Sequence, residues 1–83
     1  MNEEHPKPPR FLTVEQAAQE LNVSEAAIRS LLRSGELRGF QVGSRRQWRT
    51  GIADLQTYID EAYRKVEDKI ARGHFAEVEA EDA

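Results

Sequence analysis

The chain has no cysteine, which removes disulfides and thiolate metal sites and fits a reducing compartment. Its three prolines all lie within the first ten residues. No apolar run approaches the roughly 20 residues of a membrane-spanning helix. The opening residues MNEEHPKPPR are polar and unlike a secretory signal, so the expected compartment is the cytoplasm. Two histidines, His5 and His74, stand alone near opposite ends and support no metal site. No nucleophile–base pair, phosphate-cradling glycine loop or spaced carboxylate pair is visible. Neither enzyme activity nor a cofactor is therefore expected. What is present is 83 residues with a hydrophobic share of 39%, enough for one small domain with a thin core.

Negative charge is in excess, but unevenly placed. The formal total is −3. Within residues 29–49, the six arginines Arg29, Arg33, Arg38, Arg45, Arg46 and Arg49 oppose only Glu36, a local charge of +5 that leaves −8 for the remainder. Phosphates respond to the distribution of charge rather than to its total. The chain thus has a basic face on an acidic background.

Residues 1–10 lack apolar periodicity and are expected to form a flexible arm. Thr13 is a good N-cap, with Glu15 and Gln16 in the first turn, and Val14, Ala17, Ala18 and Leu21 follow at helical spacing. Asn22 suits the left-handed conformation that ends a helix. Ser24 caps a second helix whose inward face is Ala27, Ile28, Leu31 and Leu32, and Gly35 ends it. From Leu37 the period changes. Phe40 and Val42 begin a short strand, Gly43-Ser44 is a turn signal, and Gln47-Trp48-Arg49 return as a second strand. Phe40, Val42 and Trp48 are expected on the hairpin's apolar underside, with Phe11 also in the core. Thr50 suits either the N-cap of a last helix or an extension of the strand. The stripe Ile52, Leu55, Tyr58, Ile59, Ala62, Val66 and Ile70 predicts a long final helix stopped near Gly73. Asp60–Arg64, Glu61–Lys65 and Asp68–Arg72 are favourable i,i+4 pairs along it. Residues 74–83 are expected to form an acidic flexible tail, leaving 11–73 as the domain.

Two short helices joined by a turn of about three residues outline a helix-turn-helix. Small Ala18 allows close crossing, Asn22 turns, Val23 plugs the corner, and Ile28 with Leu31 anchors the second helix. The stretch FLTVEQAAQELNVSEAAIRSLLRSGELRGFQVG, with its basic hairpin and the helix beginning near DLQTYI, resembles the excisionase-type DNA-binding family. These small winged helix-turn-helix proteins are related to the DNA-binding heads of MerR regulators. The resemblance covers roughly residues 11–60, and RSGEL followed by VG carries most of it. It implies a mostly α fold with a small β-hairpin and a long C-terminal helix. It also implies a second helix, residues 24–34, in the major groove, and a wing, residues 37–49, on the backbone or minor groove. Family members often carry a basic or hydroxyl residue where this chain has Glu25, and a basic one where it has Ser30.

The candidate DNA-binding residues are Ser24, Arg29, Ser30, Arg33, Arg45, Arg46 and Arg49. Arg29 and Arg33 lie one turn apart on the exposed face, and an arginine fork matches O6 and N7 of guanine. Ser24, at a helix N-terminus, suits a phosphate. Arg45 and Arg46 at the wing tip suit phosphates or a narrow minor groove. Arg49 suits either the DNA backbone or an acidic neighbour within the protein. Trp48 suits core packing better than base stacking.

The expected partner is double-stranded DNA, and the expected role a small regulator of transcription associated with the nucleoid. The alternatives are a recombination directionality factor and a protein-interaction module that keeps the fold. Leu55, Ile59, Ala62, Val66 and Ile70 approximate a 4-3 repeat through which the chain would form a homodimer or a head-to-tail oligomer. Equally, the distal half of this helix projects into solvent.

Overall fold

Thr13 starts the first helix with a reciprocal cap. Its Oγ1 accepts from the Gln16 backbone N–H at 3.1 Å, while Gln16 Oε1 accepts from the Thr13 N–H at 2.9 Å. The computed structural model describes residues 10–73. Its elements in chain order are β1 (Phe11–Thr13), α1 (Val14–Leu21), α2 (Glu25–Ser34), β2 (Phe40–Val42), β3 (Gln47–Gly51) and α3 (Ile52–Ala71). The expected flexible arm, Arg10 apart, and the acidic tail lie outside the described residues. The architecture is a winged helix-turn-helix with a long C-terminal helix, as the spacing and the resemblance together implied.

Asn22 is left-handed, at φ 57°, and ends α1. Ser24 Oγ accepts from the Ala27 N–H at 3.1 Å and caps α2. Ala17 and Ala18 are buried, and so are Ile28 and Leu32 opposite them. Only small side chains on α1 permit this approach. Leu12, Leu37 and Leu55 complete the core, so every element except β2 contributes to it or to its edges. Val23 does not plug the corner. It is 44% exposed, and its backbone N–H closes the turn on the Ala18 carbonyl at 3.0 Å.

The wing has three strands rather than two. β3 lies in the middle of the order β1-β3-β2, antiparallel to both neighbours. Leu12 faces Thr50, and Gln41 faces Trp48. Because partners opposite one another share a face, Leu12, Thr50 and Trp48 lie on the inner side. Phe40 and Val42 alternate with Gln41, so they lie on the outer side, opposite to Trp48. The expected common underside is therefore incorrect. Trp48 packs against the core, while Phe11 and Phe40 stand outside it, about 45% exposed, as an edge-to-face pair 5.4 Å apart. They meet across β3 beside Gly51, where no side chain intervenes.

Thr50 belongs to β3 and is not a cap; Gly51 occupies the N-cap position of α3 without a side-chain bond. The Thr50 side chain is buried, and its Oγ1 donates to the Arg38 carbonyl at 2.7 Å. Gly39 lies beside that contact. A Cβ there would come 2.5 Å from Leu32 Cδ2 and 2.7 Å from the Arg49 carbonyl oxygen.

α3 uses Leu55, Tyr58 and Ile59 against the core and then leaves it. Asp68–Arg72 closes at 3.2 Å as expected, whereas Asp60 accepts from Gln56 Nε2 at 2.9 Å. Leu55, expected to serve a partner, is buried within its own domain.

Gly39→Ala should cost ~1–3 kcal/mol, the usual range for overpacking, because one of the two clashing atoms is backbone. A urea titration of the variant should show a lower midpoint with an unchanged slope.

Candidate nucleic-acid interface

β1 ends at Thr13, but β3 begins two residues beyond the point that Thr13 faces. Gln47 and Trp48 therefore overhang on that side, and the first turns of α1 and α2 close the gap. The result is a groove of about 400 Å³ lined by Thr13, Val14, Glu15, Glu25, Arg29 and the wing residues Arg45 to Arg49. Of the seven predicted site residues, Arg29, Arg45, Arg46 and Arg49 converge here. They come from a helix and a hairpin far apart in sequence. Ser24 at the N-cap of α2, and Ser30 and Arg33 on α2, are exposed but do not line the groove.

Each arginine is held differently. Arg29 Nη2 donates to Glu25 Oε1 at 3.2 Å, with both side chains nearly half exposed. An exposed i,i+4 pair of this kind contributes ~0.3–0.5 kcal/mol. A bidentate guanine contact contributes ~1–3 kcal/mol, so the bridge orients Arg29 without withholding it. Arg49 is half-buried, and its Nη1 donates to the Trp48 carbonyl at 2.8 Å. Its partner is thus backbone, not the acidic neighbour considered as one alternative.

Arg45 and Arg46 occupy the turn between β2 and β3. The Arg46 N–H donates to the Gly43 carbonyl at 3.1 Å, and Arg46 itself is left-handed at φ 54°. A residue with a Cβ costs ~1–2 kcal/mol in that region. Arginine thus stands where glycine or asparagine would be the relaxed choice, which is the kind of local strain that accompanies function.

The groove also takes in Thr13, Val14, Glu15, Glu25, Gln47 and Trp48, six residues outside the predicted site. Their short-range signals point to caps, helix turns, a strand and the core, whereas the groove they share depends on contacts distant in sequence. Four arginines and two glutamates leave it net positive. Among the described residues, no cluster of histidine, cysteine, aspartate or glutamate is placed to hold a metal ion. No described helix is long and apolar enough to cross a membrane.

A family model described as a helix-turn-helix domain matches residues 11–63, more than half of the chain. No curated protein and no solved structure matches.

Replacing Arg46 by glycine should raise stability by up to ~1 kcal/mol, the relieved strain less the added freedom of the unfolded chain. Thermal melting checks this: a higher midpoint is expected, and a lower one would mean the side chain supports the turn.

Proposed function

The chain belongs to the helix-turn-helix domain family, a DNA-binding family, and from that premise we propose that it binds double-stranded DNA in a sequence-specific manner as a small transcriptional regulator. The observation that carries this reading is the convergence of Arg29 on α2 with Arg45, Arg46 and Arg49 of the wing on one groove. An α-helix fits the major groove, and a hairpin beside it reaches the flanking backbone. Arg29 and Arg33 are the base-reading donors, and Ser30 lies between them on the same face. Ser24 uses one oxygen lone pair for the cap and keeps its hydroxyl proton for a phosphate. Arg45, Arg46 and Arg49 hold the backbone. The protein acts by binding and not by catalysis, in the cytoplasm and on the nucleoid. A relationship to MerR-type heads fits the wing and the long last helix.

α3 supplies the proposed self-association surface. Beyond Ala62 it presents Tyr63, Val66 and Ile70, with Tyr63 67% and Ile70 59% exposed. Half-buried Ile59 and Ala62 continue this stripe towards the core. A second copy paired there places two reading helices on half-sites about one helical turn apart.

Two measurements test the reading. Arg29→Ala should weaken a site selected from a random duplex library by roughly 5- to 150-fold while changing binding to random DNA much less. The pair Arg45→Ala and Arg46→Ala should weaken both and lower the slope of log affinity against log salt by about 0.9 per arginine. Salt-independent binding would sink the reading, and strong bending of a circularly permuted probe would favour a recombination factor over a regulator.

For the association surface, sedimentation of the chain on a duplex with two half-sites should show two copies. Val66→Asp with Ile70→Asp should leave one copy, with the fold intact by circular dichroism.

A further inference from the structure

We propose that Glu25 is a base-reading residue, acting with Arg29 as an acceptor–donor pair that selects a cytosine close to a guanine. This rests on the DNA-binding function proposed above. Glu25 occupies the first turn of α2, the part of a reading helix that meets base edges. Its side chain is 47% exposed and lines the groove beside the wing arginines. The contact with Arg29 uses one oxygen, Oε1, and one nitrogen, Nη2. That leaves Oε2 to accept from the N4 amino group of cytosine, and the second Nη2 hydrogen, paired with Nη1, to donate to O6 and N7 of guanine.

The spacing fits two neighbouring contacts. Four residues of helix advance about 6 Å, and base pairs rise about 3.4 Å, so the two contacts fall one or two base pairs apart. The charge also points to reading and away from simple adhesion. A carboxylate in an arginine-lined groove repels phosphates, which is unfavourable for a surface that only grips backbone. Against bases it discriminates, because it is repelled by the carbonyl acceptors of guanine and thymine while accepting from cytosine. A helix N-terminus also favours an acid, but that stabilisation is indifferent to the sequence of the bound DNA.

The test is selection from a random duplex library at fixed salt with the full-length chain and its Glu25→Ala and Glu25→Gln variants. The wild-type protein should enrich a motif with a cytosine one or two base pairs from a guanine. Glu25→Ala should keep the guanine, lose the cytosine preference by roughly 5- to 150-fold, and bind random DNA more tightly. Glu25→Gln, which keeps the side-chain length, should move the preference at that position to adenine. The same motif from all three proteins overturns the assignment of Glu25 and leaves DNA reading standing. A wild-type chain that enriches no sequence overturns DNA reading and this proposal with it.

Discussion

The distance between the wing and the second helix is set by a contact with no room to spare. At Gly39 the chain passes so close to Leu32 of α2 and to the Arg49 carbonyl of β3 that no side chain fits. One residue earlier, the Arg38 carbonyl accepts the buried Thr50 hydroxyl at 2.7 Å. A buried hydroxyl without a partner costs ~1–3 kcal/mol, and Thr50 is 1% exposed, so it is held to one register. That register aligns β3 with β1 and β2 together, and it carries Arg45, Arg46 and Arg49 to the side where Arg29 emerges. Leu37, fully buried, pins the other end of the same connection, with its N–H donating to the Leu31 carbonyl at 3.1 Å. The groove depends on these three residues more than on any contact between its own arginines.

The helices were legible in the sequence because each is bounded by a residue with a local reason to be there. Thr13, Asn22, Ser24 and Gly35 cap or end their helices through their own backbone or side chains. The short-range signals failed where the outcome depends on distant partners. β1 has three residues and no alternation to reveal it; it exists because β3 offers an open edge. Phe11 and Phe40 look like core by hydrophobicity, yet strand alternation places them outside, where they cover one another. Trp48 reached the inner face by the same alternation, a one-residue offset being enough to reverse a side. Thr50 was ambiguous between cap and strand because the Arg38 carbonyl, twelve residues away, decides the matter. The arginines were visible as a local charge excess. Which of them share a groove was not, since that requires the register of the wing.

The acidic total of the chain is compatible with this groove because exposed charges farther apart than about a Debye length, ~8 Å at physiological salt, are largely screened. What the total does limit is indiscriminate adhesion to nucleic acid. A chain at −3 overall gains little from long-range attraction, and its two groove carboxylates reduce the short-range part further. Under the proposed function, binding then rests on contacts formed in register with particular bases and phosphates. That makes the strained turn at Arg46 physically reasonable. A flexible glycine tip would relax the backbone but would remove one of the few fixed cations available.

Under the same proposal, the small number of groove cations implies that one domain holds DNA weakly. A single small module buries only about 600–1,000 Å² on DNA, and here four arginines, partly offset by two glutamates, supply most of the groove's electrostatics. A second domain on an adjacent half-site changes this without any new protein–DNA contact, since the second binding event occurs at an effective concentration fixed by the link between copies. The distal half of α3 offers such a link. Tyr63, Val66 and Ile70 are exposed although the charged residues around them already give the helix adequate solubility, and the domain core is complete by Ile59. These side chains lie outside the core of one copy. Their burial against a second copy would combine two weak readers into one that is selective for both sequence and spacing, which is the property that a sparsely charged groove lacks by itself.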